Sequence, residues 1–383
     1  MVKFQAEILR NTIGKCVRFS TKRGLIPEYG YLDMRDGHIQ ATNGMLGIKY
    51  LNPVTFSEEF VLPADLFAEL LNKVNCEVEM VSRSSSITFK AGSFEVKIPK
   101  LKDENKMDMD VPPDDAKIPL PDGFGDSLKK IIFSVPKDDK VKESLRGVNY
   151  DGKSFYASDN IKLSRFTPKF ELGNKLFIPT QLLEFLIEDK PLAYCITETD
   201  GVERLLWFWF KDYVIFGVIQ GTIFPMGEEI FDKILGEKNN STIVSANQEE
   251  LKDKVDKIAI LAKEHVGRMN IAVIKNELFF HTLAPNGLEA FDVLPVISNM
   301  TEGAEPELIS VTISYFQNEI NECSDFFFGE GFIYFSNEEG IESILKPLTV
   351  EDGALIMERV GEYYNARSDT TGMDIGGTGS SQA

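Results

Sequence analysis

The side chains best suited to chemistry stand apart in this sequence. His38, His265 and His281 show no metal-ligand spacing. Cys16, Cys76, Cys195 and Cys323 lie far from one another with no CxxC pair, so each reads as a small buried hydrophobe. The adjacent carboxylates Asp138–Asp139 and Glu228–Glu229 sit in polar turns, where a solvated acid lacks the burial that tunes it for proton transfer. GEGFIYF (329–335) reads as a hairpin turn, and GMDIGGTGSS lies in the tail with no strand before it, so neither is a phosphate loop. No nucleophile stands with a base. A binding protein is expected, not an enzyme, with no cofactor and no metal.

Binding leaves its own marks in charge and patterning. The chain has 383 residues and a net charge of −19, which argues against nonspecific nucleic-acid binding unless its bases are gathered in one place. Its hydrophobic fraction of 43% is ample for packed cores. No apolar run reaches the roughly 18 residues needed to cross a bilayer. The start, MVKFQAEILRNTIG, is amphipathic and charged, unlike a secretory signal, so no membrane contact and a cytoplasmic location are expected.

The elements come in three sets. FVLPADLFAELLNKV (60–74) passes from a short apolar strand into a helix, with Pro63 expected in the first turn and Leu66, Phe67, Leu70, Leu71 and Val74 at helical spacing. LFIPTQLLEFLIED (176–189) repeats this around Pro179, and ELISVTISYFQNEINEC (307–323) repeats it around Thr312. An amphipathic helix opens each set: 6–19, 125–136 and 247–264. Between the two helices lie strand–turn–strand segments at 30–43, 147–159 and 268–282, and a hairpin closes each set at 85–99, 206–221 and 325–337. Residues 102–123 and 236–246 read as links, and the Gly/Ser/Thr-rich end as a disordered tail. Repeats this long mean tandem domains, expected at 1–120, 121–238 and 241–362, with the tail from 363 to 383.

Four segments carry a resemblance. GVNYDGKSFYASDNIKLSRF (147–166), VIQGTIFP (218–225), AILAKEHVGRMNIAV (259–273) and GALIMERV (353–360) are similar, in that order, to stretches of the bacterial DNA polymerase sliding clamp, the beta subunit of the replicase, and the last of them resembles that family's final strand. Ile161 and Lys162 replace a His-Arg pair of that family, and Glu358, Arg359 and Val360 replace its usual ending, which marks a divergent member of a kind that a phage could encode. The resemblance implies an α+β fold of three tandem clamp domains, each with two helices packed on antiparallel sheets, closing into a ring as a head-to-tail dimer. It implies a processivity factor that encircles double-stranded DNA without reading sequence and tethers the replicative polymerase. The alternative is a clamp-like scaffold for polymerase or transcription factors that does not encircle DNA.

Three sets of residues follow. The first helices and their continuations collect bases, and Arg10, Lys15, Arg18, Lys22, Arg23, Lys129, Lys130, Lys137, Lys140 and Lys252 are the expected DNA contacts. The second helices carry acid, as in Glu69, Glu184, Glu188, Glu319 and Glu322. By resemblance, a cleft between the second and third domains would take short peptides of the polymerase and clamp loader. Leu145, Ser158, Leu163, Leu355 and Met357 would form it, with Asn160 and Lys162 at its rim. The homodimer joint would use Phe94, Val96 and Ile98 of the first hairpin, with Ile260 and Leu261 of the third set as apolar contacts.

Overall fold

The computed structural model describes residues 1–21, 26–35, 37–100, 109–136, 140–199, 203–219, 227–262, 267–284, 286–351 and 353–372. Eight helices appear among them: α1 Ala6–Val17, α2 Ala64–Lys73, α3 Phe124–Lys129, α4 Thr180–Glu188, α5 Gly227–Glu237, α6 Gln248–Ala262, α7 Ile313–Glu322 and α8 Gly353–Gly372. Pro63, Pro179 and Thr312 occupy the N-caps of α2, α4 and α7, one position before the expected first turn.

Two compact units divide the chain: Met1–Leu128 with Phe177–Gly221, and Lys129–Leu176 with Thr222–Ala383. In the first unit the strands Val2–Gln5, Glu77–Ser82, Ser86–Ala91 and Phe94–Pro99 form a sheet in that order. A larger sheet begins Phe60–Pro63, Tyr31–Arg35, His38–Thr42, Leu46–Leu51. It continues without a break through Tyr213–Ile219, Glu203–Trp209, Ala193–Thr199 and Ile118–Pro119. The second unit repeats the arrangement. Glu289–Pro295, Glu277–Leu283, Arg268–Ile274 and Glu307–Thr312 form the small sheet. Gly147–Tyr150, Phe155–Ser158 and Lys162–Phe166 run into Ile341–Leu345, Phe332–Ser336, Asp325–Gly329, Thr242–Ser245 and Ile297–Ser298. All the strand pairings named are antiparallel.

Helices and sheets share their cores. Leu9, Ile13 and Cys16 of α1 and Phe67 and Leu71 of α2 are fully buried, and these two helices pack together. In the second unit Leu251, Val255 and Ile258 of α6 and Phe316 and Ile320 of α7 join Met269, Ile271, Val311 and Phe335 in one cluster. Each such side chain contributes on the order of 1.5–3 kcal/mol by leaving water.

Four expectations need correction. The helix expected at 125–136 breaks: α3 ends at Lys129, Ile131 leaves helical geometry at φ −124°, and a 3₁₀ turn follows at Ile132–Ser134. The segment 353–360, expected as a strand, begins α8, because Ile356, Val360, Tyr363, Tyr364 and Arg367 recur at helical spacing. That helix runs on to Gly372, through residues expected to be a structureless tail. Cys76 is exposed in the loop after α2, whereas Cys16, Cys195 and Cys323 are buried as expected.

Candidate nucleic-acid and partner interfaces

The bases of the first helices are held by their neighbours. Arg10 donates to the carbonyls of Leu71 at 3.1 Å and Val74 at 2.8 Å, closing the C-terminal end of α2 where a cation is favoured. Lys252 on α6 does the same at α7, donating to Asn321 at 3.2 Å. Lys15 pairs with Asp189, and Arg18 with Glu184 and Glu188, so acids of α4 and its C-cap neutralise bases of α1. Arg18 also lies 3.9 Å from the Phe185 ring centre. Burial would raise the Asp189 carboxyl, yet hydrogen bonds from Lys15 and Tyr213 hold it below the usual carboxylate range. Lys130 pairs with Glu339, while Lys129 and Lys140 are exposed. Lys22, Arg23 and Lys137 lie outside the described residues.

Two joints connect successive repeats. At the first, Leu46–Tyr50 pair with Tyr213–Gly217, centred on Ile48 opposite Ile215. Glycine is needed here: a Cβ on Gly47 would come within 2.0 Å of the Phe216 ring, and one on Gly217 within 2.8 Å of Leu182. One face carries Trp207, Trp209, Val214 and Phe216, packed with Met109 and Val111 of the link. A cavity of about 640 Å³ lies there, lined among others by Tyr29, Leu205, Trp207, Phe216, Met109 and Val111. At the second joint Lys162–Phe166 pair with Ile341–Leu345, centred on Ser164 opposite Ser343. The corresponding face, Tyr156, Leu163, Phe327, Phe332, Tyr334 and Ile344, is covered by Phe231 and Ile234 of α5.

The expected partner cleft changes accordingly. Ser158 and Asn160 share a turn in which Ser158 Oγ donates to the Lys162 carbonyl at 2.7 Å and Asn160 adopts a φ of 76°. Leu145 is buried, and Leu163 packs in the cluster covered by α5. Lys162 is not at a rim: its side chain is 2% exposed and faces Glu319, which is itself buried and not part of an acidic surface. Leu355 and Met357 lie two residues apart on a helix and so point to different sides, whereas a strand would have aligned them. Met357 packs toward Ala272, Phe279, Ile356 and Val360, a cluster separate from that of Leu163. Arg359 ties α8 down through Glu289, whose carboxyl its hydrogen bonds hold at about 2.

Among the described residues, no strand pairs the outer edges of Phe94–Pro99 and Glu289–Pro295. Phe94 is 47% exposed and Val96 half-buried, but Ile98 is buried in its own core. Ile260 is 68% exposed and Leu261 half-buried. No group of three or more His, Cys, Asp or Glu among the described residues is placed to hold a metal. No described helix is long and apolar enough to cross a membrane.

No protein-family profile matches the sequence, nor does any curated protein. Solved structures do. A DNA polymerase sliding clamp from Bacillus subtilis superposes with a TM-score of 0.75 at 17% identity, over 91% of this chain and 99% of the other. A sliding clamp from Bartonella birtlesii, solved with griselimycin bound, gives 0.75 at 16% with the same coverage. A DNA polymerase III beta subunit from Eubacterium rectale gives 0.75 at 14%, again over 91% and 99%. The repeated sheet order, the two joints and these superpositions together establish that the chain has the fold of the bacterial polymerase sliding clamps.

Proposed function

We propose that the protein is a DNA sliding clamp, two copies of which join head to tail into a ring around duplex DNA. One observation carries the reading. At both joints the strand that ends one repeat's central meander pairs with the last strand of the antiparallel run that closes the next repeat. Within one chain, Glu289–Pro295 is such a meander strand and Phe94–Pro99 such a closing strand, each with its outer edge unpaired among the described residues. Exposed edges are hazardous unless paired, and a second copy supplies both missing partners by the rule the chain already follows twice. Backbone pairing dominates this joint. Phe94, Val96 and Ile260 add apolar contact, and Ile98 supports the strand from behind.

Such a ring holds DNA by enclosure, so contacts with phosphate can be weak. Pairing of Lys15 and Arg18 with acids fits that requirement, since a base shared with an acid draws less on the salt-dependent phosphate term. Lys129, Lys140, Lys22, Arg23 and Lys137 are the proposed DNA contacts. The Arg23→Ala/Lys137→Ala double variant should lower the salt dependence of binding by roughly two phosphate contacts. The replicative polymerase and the clamp loader would attach by short peptides near the Ser158–Leu163 turn.

The test is retention on DNA. Protein incubated with nicked circular DNA and passed over a sizing column at moderate salt should stay with the circle and be lost when the circle is linearised. Equal retention on both forms would replace the ring with a scaffold that binds without encircling.

A further inference from the structure

The second joint buries charge where the first is apolar. The side chains of Lys162 and Glu319 are 2% and 0% exposed, with Nζ 3.9 Å from the nearer carboxylate oxygen. The ammonium donates to the Phe133 carbonyl at 2.7 Å and lies over the rings of Phe133 and Tyr315. A file of buried hydroxyls crosses the joint beside it. Ser134 bonds Ser164, Ser164 bonds Ser343 at 2.7 Å, and beside the file stands Glu319, whose two buried carboxylate oxygens accept no hydrogen bond among the described residues. Thus the file links the 3₁₀ turn and one strand of the joint to the other strand, next to α7.

A buried carboxylate 3.9 Å from its partner and without hydrogen bonds recovers too little attraction to offset the loss of water; a proton on the carboxyl removes that cost, while the Lys162 ammonium keeps the Phe133 carbonyl and the faces of Phe133 and Tyr315. We propose that Ser134, Lys162, Ser164, Glu319 and Ser343 form a proton-dependent clasp on the second joint. With the proton on Glu319, the strands 162–166 and 341–345 are held; without it, their pairing opens more readily. The surroundings agree. Burial pushes the Glu319 carboxyl up to about 7, Lys162 and Ser343 pull it down, and Asp159 and Glu322 push it up. From α6, Lys252 is held at the Asn321 carbonyl at the end of α7, and the nearby Cys323 thiol is kept neutral by burial.

The direction follows from the raised value. The contribution is fully present below about 4.5, declines as pH rises through about 7, and is level above that. Hydrogen exchange of the full chain between pH 5 and 8.5, corrected for the intrinsic rate, measures it. Opening of 162–166 and 341–345 should rise by up to about tenfold per pH unit until near neutrality. Opening of 46–50 and 213–217, the first joint, should stay flat over the same range. Glu319→Gln, which keeps the neutral form's shape, should flatten the second joint's response. A second joint that is flat in the wild-type chain, or that moves in parallel with the first, overturns the clasp without any variant. A response that survives Glu319→Gln overturns it as well.

Discussion

Two joints built on one pairing rule are filled with opposite chemistry. In each, five residues pair with five, but the central pair is Ile48 with Ile215 at the first and Ser164 with Ser343 at the second, all four fully buried. Leu46 faces Gly217 where Lys162 faces Leu345. Lys15 and Asp189, beside the first joint, lie partly exposed, while Lys162 and Glu319 at the second are enclosed. The covers differ too: a link segment bordering a cavity at the first, the helix α5 at the second. Backbone pairing therefore sets the architecture, and the side chains decide how each joint responds to its surroundings.

The largest expected effect is at the cover of the second joint. Phe231→Ala removes a fully buried ring from the contact of α5 with Tyr156 and Tyr334, and should cost about 3–5 kcal/mol in chemical denaturation. A cost under 1 kcal/mol would show that α5 is not an integral cover. Gly47→Ala should overpack the first joint against Phe216 and Met109 by about 1–3 kcal/mol, leaving exchange at the second joint unchanged. Acid should act on the joints in opposite senses. Asp189 is held below the usual carboxylate range, so its contribution is present above that range and lost as pH falls, whereas the second joint tightens on acidification. Asp189→Asn should abolish the acid sensitivity of exchange at 213–217 alone. Lys15→Ala is the smallest change, no more than about 1 kcal/mol, because a partly exposed ion pair is screened.

Much of this was legible from residue patterns. The periods of apolar residues in α1, α2, α4, α6 and α7 and the alternation in the hairpins gave three matching sets, and their order gave the fold. Two helices were missed although their signals stood in plain sequence. In α5, Ile230, Phe231, Ile234 and Leu235 follow Glu228 and Glu229 at helical spacing, but the two acids read as a polar turn and no helix was assigned there. In α8, likeness to a family strand outweighed a clear helical period. Site residues were harder for a physical reason. Nothing local announces that Lys15 meets an acid 174 positions away, or that Lys162 is enclosed with Glu319. Burial of a charge depends on a partner that only the folded chain brings near.

The central claim is that the unpaired edges Phe94–Pro99 and Glu289–Pro295 complete each other between two copies. Light scattering at micromolar concentration tests it most directly. A molar mass of twice 43.1 kDa is expected; a strict monomer of 43.1 kDa would overturn the pairing of the two edges.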